Sequence, residues 1–150
     1  MRVMALTDTE VQRLIRLSKK FADTTEVTVP PSGAFEHSSE LVAVEEREAF
    51  LLDVSRHAIR ITRCKSQTRY ARNIILLRVE LDGPPHVNPD GTDVGPSHVH
   101  VYKEGYDDRW AYPLSNYPEF LQCSTLVDLV RSFCRYCGVV SVIPYQEGVI

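Results

Sequence analysis

The sequence is short of the features that announce common biochemistries. Only seven glycines occur in 150 residues, too few and too scattered for a phosphate-cradling loop, and neither a Walker pattern nor GxGxxG is present. There is no GxSxG nucleophile elbow. No apolar run approaches the ~18 residues of a membrane-spanning helix. The start, MRVMALTDTE, reaches acids and hydroxyls at once, so no leader peptide is expected. Four cysteines are too few for a disulfide scaffold. Cys134-x-x-Cys137 lies in a helical pattern without the second pair that a zinc site needs, so buried free thiols in a reducing compartment are expected.

What is present describes an ordinary folded chain. It is 43% hydrophobic and 25% charged, near the average for globular proteins. One domain over residues 1–150, cytoplasmic and without membrane contact, is the expectation. Thr7-Asp8-Thr9-Glu10 has the form of a capping box, and Val11, Leu14, Ile15, Ser18 and Ala22 continue with helical spacing, predicting a helix over 8–22. Strands are predicted over 41–45, 49–54, 58–63, 73–82 and 97–103, with 63–72 as a connector and breaks at Asp82-Gly83-Pro84-Pro85 and Asn88-Pro89-Asp90-Gly91. Ser124 or Thr125 caps a second helix, in which Leu126, Leu129, Val130, Phe133 and Cys137 share a face and Gly138 is the stop. A last strand is expected over 139–143. The order predicts an α+β fold: an antiparallel sheet of about five to six strands with an N-terminal and a C-terminal helix.

The net charge of −3 first argues against nucleic acid, but its distribution reverses that argument. Arg56, Arg60, Arg63, Lys65, Arg69, Arg72 and Arg78 fall within 24 residues that hold no acid. That stretch carries +7, which leaves −10 on the remaining residues. A basic strand-loop-strand surface suits phosphate backbones, and neutralisation by the acidic remainder or an acidic partner is the competing reading. Arg60, Arg63, Lys65, Arg69, Arg72 and Arg78 are therefore candidate nucleic-acid contacts. Trp110, in an aromatic segment, is a candidate for stacking or for the edge of the core.

His98 and His100 stand two apart on the best alternating strand, so their rings leave the same face. Tyr102 continues the stripe, and the turn before the strand returns His86 toward it. This pattern has two chemical uses. One histidine acts as general base and another as general acid at a phosphodiester, with arginines stabilising the phosphorane and no cofactor needed. The candidate catalytic residues are then His86, His98, His100 and Tyr102. Alternatively, His98 and His100 hold a metal, with Glu104, His86 or Asp90 as a third ligand. His98-x-His100-x-x-x-Glu104 resembles the ligand part of the first cupin motif, but no histidine follows His100 and Ala111 stands where that motif has glycine.

His86-x-Asn88-Pro89-Asp90-Gly91, His98-x-His100-x-Tyr102-x-Glu104-Gly105-Tyr106 and Trp110-Ala111-x-Pro113-Leu114 together resemble a family of small bacterial and prophage proteins without an assigned activity. The resemblance implies a mobile-element or anti-defence setting. The sequence thus leads to an RNA-acting protein, a toxin-like metal-independent endoribonuclease. A non-enzymatic inhibitor that binds a host nucleoprotein complex is the alternative, and a metal-dependent enzyme on the histidine strand the third.

Overall fold

The computed structural model describes residues 5–149; the first four residues, where no leader is expected, and Ile150 lie outside the described residues. The elements in chain order are α1 (Asp8–Arg16), β1 (Lys19–Phe21), β2 (Val27–Val29), β3 (Phe35–Ala43), β4 (Ala49–Arg56), β5 (Cys64–Tyr70), β6 (Ile74–Leu81), β7 (His86–Val87), β8 (Asp93–Val94), β9 (His98–Val101), β10 (Ala111–Pro113), α2 (Leu126–Tyr136) and β11 (Tyr145–Glu147). Seven strands form one antiparallel sheet in the order β1-β3-β4-β5-β6-β9-β10. The α+β expectation holds, with a larger sheet. Two small additions are the β7–β8 hairpin and a parallel β2–β11 pair. Among the described residues no helix is long and apolar enough to cross a membrane.

The two faces of the sheet differ. Phe50, Leu52 and Val54 of β4, with Leu77, Val79 and Leu81 of β6, point into the hydrophobic cluster that α1 and α2 cover. The intervening residues, such as Asp53, Lys65, Gln67, Arg69, Arg78 and Glu80, alternate onto the opposite face. At Leu76 a bulge interrupts the β5–β6 register, where Thr68 pairs with Leu77 but Arg69 with Ile75. Leu76 and Leu77 are both buried there.

Three expected elements move. The first helix ends at Arg16 rather than 22, because Leu17 leaves helical geometry (φ −55°, ψ 133°) and residues 19–21 join the sheet. Residues 58–63 are a tight loop, since Arg56 pairs with Cys64 across a hairpin, and His57 Nδ1 accepts the amides of Ile59 and Arg60 inside it. The strand is β5, inside the presumed connector. Its buried side carries Cys64, Ser66 and Thr68, which a search for apolar alternation passes over. Residues 139–143 are also not a strand; β11 begins after Pro144 and pairs with β2.

Lys19 holds the two helices to the sheet. It is fully buried, and its ammonium donates to the carbonyls of Leu14, Ile15 and Leu17 at the end of α1 and of Cys137 at the end of α2, all at 2.7–2.9 Å. It also lies 4.6 Å from the Phe50 ring centroid. Two helix C-termini, each with a partial negative charge, converge on one cation. Gly138 allows the approach: its φ is +78°, and a Cβ there would lie 2.7 Å from the carbonyl oxygens of Arg16 and Leu17. All four cysteines are free and three are buried. Burial pushes the Cys137 thiol up to about 12, so it stays protonated.

Burial pushes the Lys19 ammonium down to about 8 from the usual 10.5, which leaves it charged at neutral pH. Lys19→Met strands four carbonyls and should cost about 2–4 kcal/mol of stability at pH 7. Between pH 8 and 10.5 the unfolded chain binds this proton more tightly than the folded one. The stability of wild type relative to Lys19→Met therefore rises with pH through that window and is level below it. Urea midpoints of both proteins at pH 7 and pH 9.5 read the difference.

Candidate functional site

His98 and His100 stand on the open face of β9, where register pairs His98 with Glu80 and His100 with Arg78 of β6. They are only 1% and 2% exposed, because the β7–β8 hairpin and the 105–110 segment close over that end of the sheet. Asn88 fastens this cover. Its side chain accepts from the Ala111 amide at 2.8 Å and donates to the Ala111 carbonyl at 2.9 Å, satisfying the outward edge of β10. The same hairpin brings in His86, half-buried, whose Nε2 donates to the Arg109 carbonyl at 2.9 Å. The rings of His86 and His100 are 4.6 Å apart, His98 and His100 4.9 Å, and His86 and His98 5.8 Å. Three imidazoles meet as expected.

The tautomers follow from the carbonyls. His98 Nδ1 lies 2.7 Å from the Gly95 oxygen and His100 Nδ1 2.8 Å from the Asp108 oxygen. A carbonyl only accepts, so both Nδ1 atoms carry hydrogen. Both Nε2 atoms then turn to Glu80 Oε2, at 3.6 Å and 3.2 Å. The two nitrogens and the carboxylate oxygen lie within 4.8 Å of one another. Lone pairs converging this way repel unless a cation, proton or metal, sits among them. When a proton is present on their Nε2 atoms, hydrogen bonds from His100 and His98, against the opposing effect of burial, act with the nearby Arg78 to hold the Glu80 carboxyl well below the usual carboxylate range. Burial disfavours a charged His98, but Glu80 and the Gly95 carbonyl outweigh it and raise its pKa.

Arg78 completes the support. Its Nε donates to Glu80 Oε2 at 3.0 Å and its Nη1 to Asp108 Oδ2 at 2.7 Å. Asp108 thus grips the site twice, through its carbonyl on His100 and its carboxylate on Arg78. Above this floor lies a cavity of about 300 Å³ lined by His86, His98, His100, Arg63, Arg78 and Arg109, among others.

The chain belongs to a family of unknown function (DUF6978), whose profile covers residues 6–139. The span includes the whole of the histidine-bearing segment. No curated protein and no solved structure matches the chain.

Several expected site residues lie elsewhere. β9 ends at Val101, and Tyr102 gives its amide to the Leu76 carbonyl at the bulge. Its ring is buried in the core cluster with its hydroxyl accepting the Leu6 amide, so it does not continue the histidine stripe. Glu104 is exposed, its amide bound to Asp8 Oδ1; the carboxylate beside the histidines is Glu80, on the neighbouring strand. Asp90 is exposed in the β7–β8 turn, where its carboxylate accepts the Thr92 amide. Trp110 is half-buried against Tyr106 and under Lys103.

The basic run is largely answered from within. Arg60 is bidentate on Asp82, and Arg69 is bidentate on Asp53. Burial opposes the Asp53 charge, but hydrogen bonds from Arg69, Gln67 and Ser38 prevail and hold its carboxyl at about 2. Arg72, in the β5–β6 turn, is a whole strand length from Arg63, about 20 Å. Arg63 lines the histidine cavity, and Lys65 lines a neighbouring one.

Sequence reasoning missed Glu80, Asn88, Asp108 and Arg109. Glu80 stands two residues from Arg78 and on the same face of β6, but which strand lies next to β6 is set by the sheet order. Asn88→Ala leaves the buried amide and carbonyl of Ala111 without partners. It should lower stability by about 2–3 kcal/mol in urea denaturation, and Asn88→Asp, which sets a buried carboxylate oxygen against the Ala111 carbonyl, should lose at least as much.

Proposed function

We propose that the protein is a metal-dependent enzyme whose centre is the Glu80, His98 and His100 set, with a divalent transition ion such as Zn²⁺ or Fe²⁺ as cofactor. One observation carries this reading. Two Nε2 atoms and one carboxylate oxygen converge, while each Nδ1–H is fixed to a backbone carbonyl. That is the outer arrangement that orients metal-binding histidines. The 3.2 and 3.6 Å separations suit ligands on one ion, since bonds of about 2.0–2.2 Å put tetrahedral neighbours about 3.4 Å apart. Two histidines and one carboxylate leave coordination positions open toward the cavity, the condition for catalysis rather than a purely structural role. Arg78 would remain on Glu80 and orient it. The chemistry that suits a site ringed by arginines is metal-assisted hydrolysis of an anionic substrate. His86, at the cavity wall, is the group placed to move a proton.

A second reading, metal-free cleavage of RNA by the imidazole cluster, draws on the Arg78–Glu80 contact at 3.0 Å, which already gives the carboxylate a cationic partner. In that reading His86 and His100, with rings 4.6 Å apart, exchange the protons at the phosphodiester.

Elemental analysis decides between them. The metal reading expects about one equivalent of Zn, Fe or Mn in purified protein or after back-titration, lost in His98→Ala and in His100→Ala while both variants stay folded by circular dichroism. Failure of all three ions to bind at micromolar concentration overturns it. RNA cleavage that persists in chelator and disappears in the His98→Ala/His100→Ala double variant would establish the metal-free scheme instead.

A further inference from the structure

We infer that the substrate of this centre is a phosphodiester-linked polynucleotide strand, lying in a groove that crosses one end of strands β9, β6, β5, β4 and β3. The inference rests on the centre proposed above for its chemistry, but its own support is separate.

A second cavity, of about 280 Å³, adjoins the first and is lined by Glu36, Ser55, Arg56, His57, Arg63 and Lys65, among others. The two cavities share Arg63 and Glu80 in their walls. Their lining residues lie at one end of the sheet: His98 begins β9, Leu81 ends β6, Cys64 begins β5, Arg56 ends β4 and Glu36 is near the start of β3. Together they describe a path across the strands, starting at the histidines.

The charge left over lies along this path. Arg60, Arg69 and Arg78 each have a carboxylate partner within 3.0 Å. Among the described residues, Arg63 and Lys65 have none within 4.0 Å, and both face the groove. Arg56 is held by the carbonyls of Pro30 and Gly33, which take two of its donors without cancelling its charge. Burial pushes the neighbouring Cys64 thiol up to about 11, so it stays neutral, and the carboxylates of the second cavity are Glu80 of the centre and Glu36 at the β3 end. Arg109 faces the first cavity with its guanidinium donating to backbone carbonyls and lying over the Tyr106 ring, so its charge has no carboxylate partner there among the described residues. A concave path with unanswered cations at successive points selects an anion with several charges in a line.

Length argues for a strand rather than a single nucleotide. From β9 to β3 is four strand spacings, about 19 Å. At about 3.4 Å per stacked nucleotide this accommodates about five. A mononucleotide at the histidines would span only the first two of these spacings, about 10 Å, and leave the β4–β3 end, with Ser55, Arg56 and His57, unoccupied. Gly83 stands at the junction: a Cβ there would lie 3.7 Å from Glu80 Oε1 and 3.8 Å from Arg63 Nε, so small residues leave the path open and a large one narrows it.

The test is fluorescence anisotropy of labelled eight-residue oligo(U) and oligo(dT), with UMP as competitor, on the full chain. Metal content is measured on the same samples. Saturable binding is expected that strengthens with length up to about five nucleotides and weakens roughly tenfold in Arg63→Ala and in Lys65→Ala. Metal content should not change in either variant. Arg72→Ala, at the far end of β5, should bind as wild type does. Binding of both oligonucleotides supports a phosphodiester strand of either sugar; binding of oligo(U) alone supports one whose 2′-hydroxyl is read. The inference is overturned if neither oligonucleotide binds, if UMP competes as well as the octamer, or if Arg72→Ala weakens binding as much as Arg63→Ala does. Metal-loaded protein without strand binding removes this inference and leaves the centre. Arg63-dependent binding by protein that takes up no metal does the reverse.

Discussion

A single buried ammonium sets the layout of the protein. Lys19 receives the carbonyl ends of both helices, which would otherwise bring two negative termini together in a core with no water to screen them. With that cation in place, α1 and α2 lie on the same face of the sheet and share one hydrophobic cluster. The opposite face is left to polar side chains. The groups of the candidate site occupy that helix-free face, which is available because the helices are both committed elsewhere.

At one end of that face, two kinds of support meet. The first is the sheet register, which lays His98 opposite Glu80 and His100 opposite Arg78 and so fixes four side chains with a single strand pairing. The second is a set of backbone carbonyls, from Gly95, Asp108 and Arg109, each of which accepts from one imidazole. Together they hold the rings in one tautomer and one direction, the preorganisation that a reactive centre requires. Asn88 matters at one remove: by pairing with Ala111 it keeps the covering segment in place, and with it the two carbonyls at 108 and 109.

The amphipathic stripes of both helices, their caps, the glycine stop at Gly138 and the alternation of β4, β6 and β9 were all readable along the chain, because each depends on neighbours within a few residues. β5 was not, because its buried side is Cys64, Ser66 and Thr68. Those residues are interior only by virtue of the helix above them. The fate of Lys19 was equally hidden: in sequence it continues a basic helix surface, and in the fold it is the most enclosed charge among the described residues.

The histidine pair shows where that boundary falls. Spacing alone determined that His98 and His100 share a face and that a turn returns His86 to them, since a strand has a two-residue period and a short hairpin doubles back. Tertiary structure decided everything that gives the pair its chemistry. It supplied Glu80 in place of Glu104, sent Tyr102 into the core, and matched Arg60, Arg69 and Arg78 with acids. Charge pairing and ligand convergence depend on which strands become neighbours. That is settled by long-range packing, and residues sixteen or more apart in sequence, such as Asp53 and Arg69 or Glu80 and His98, carry no local sign that they will meet.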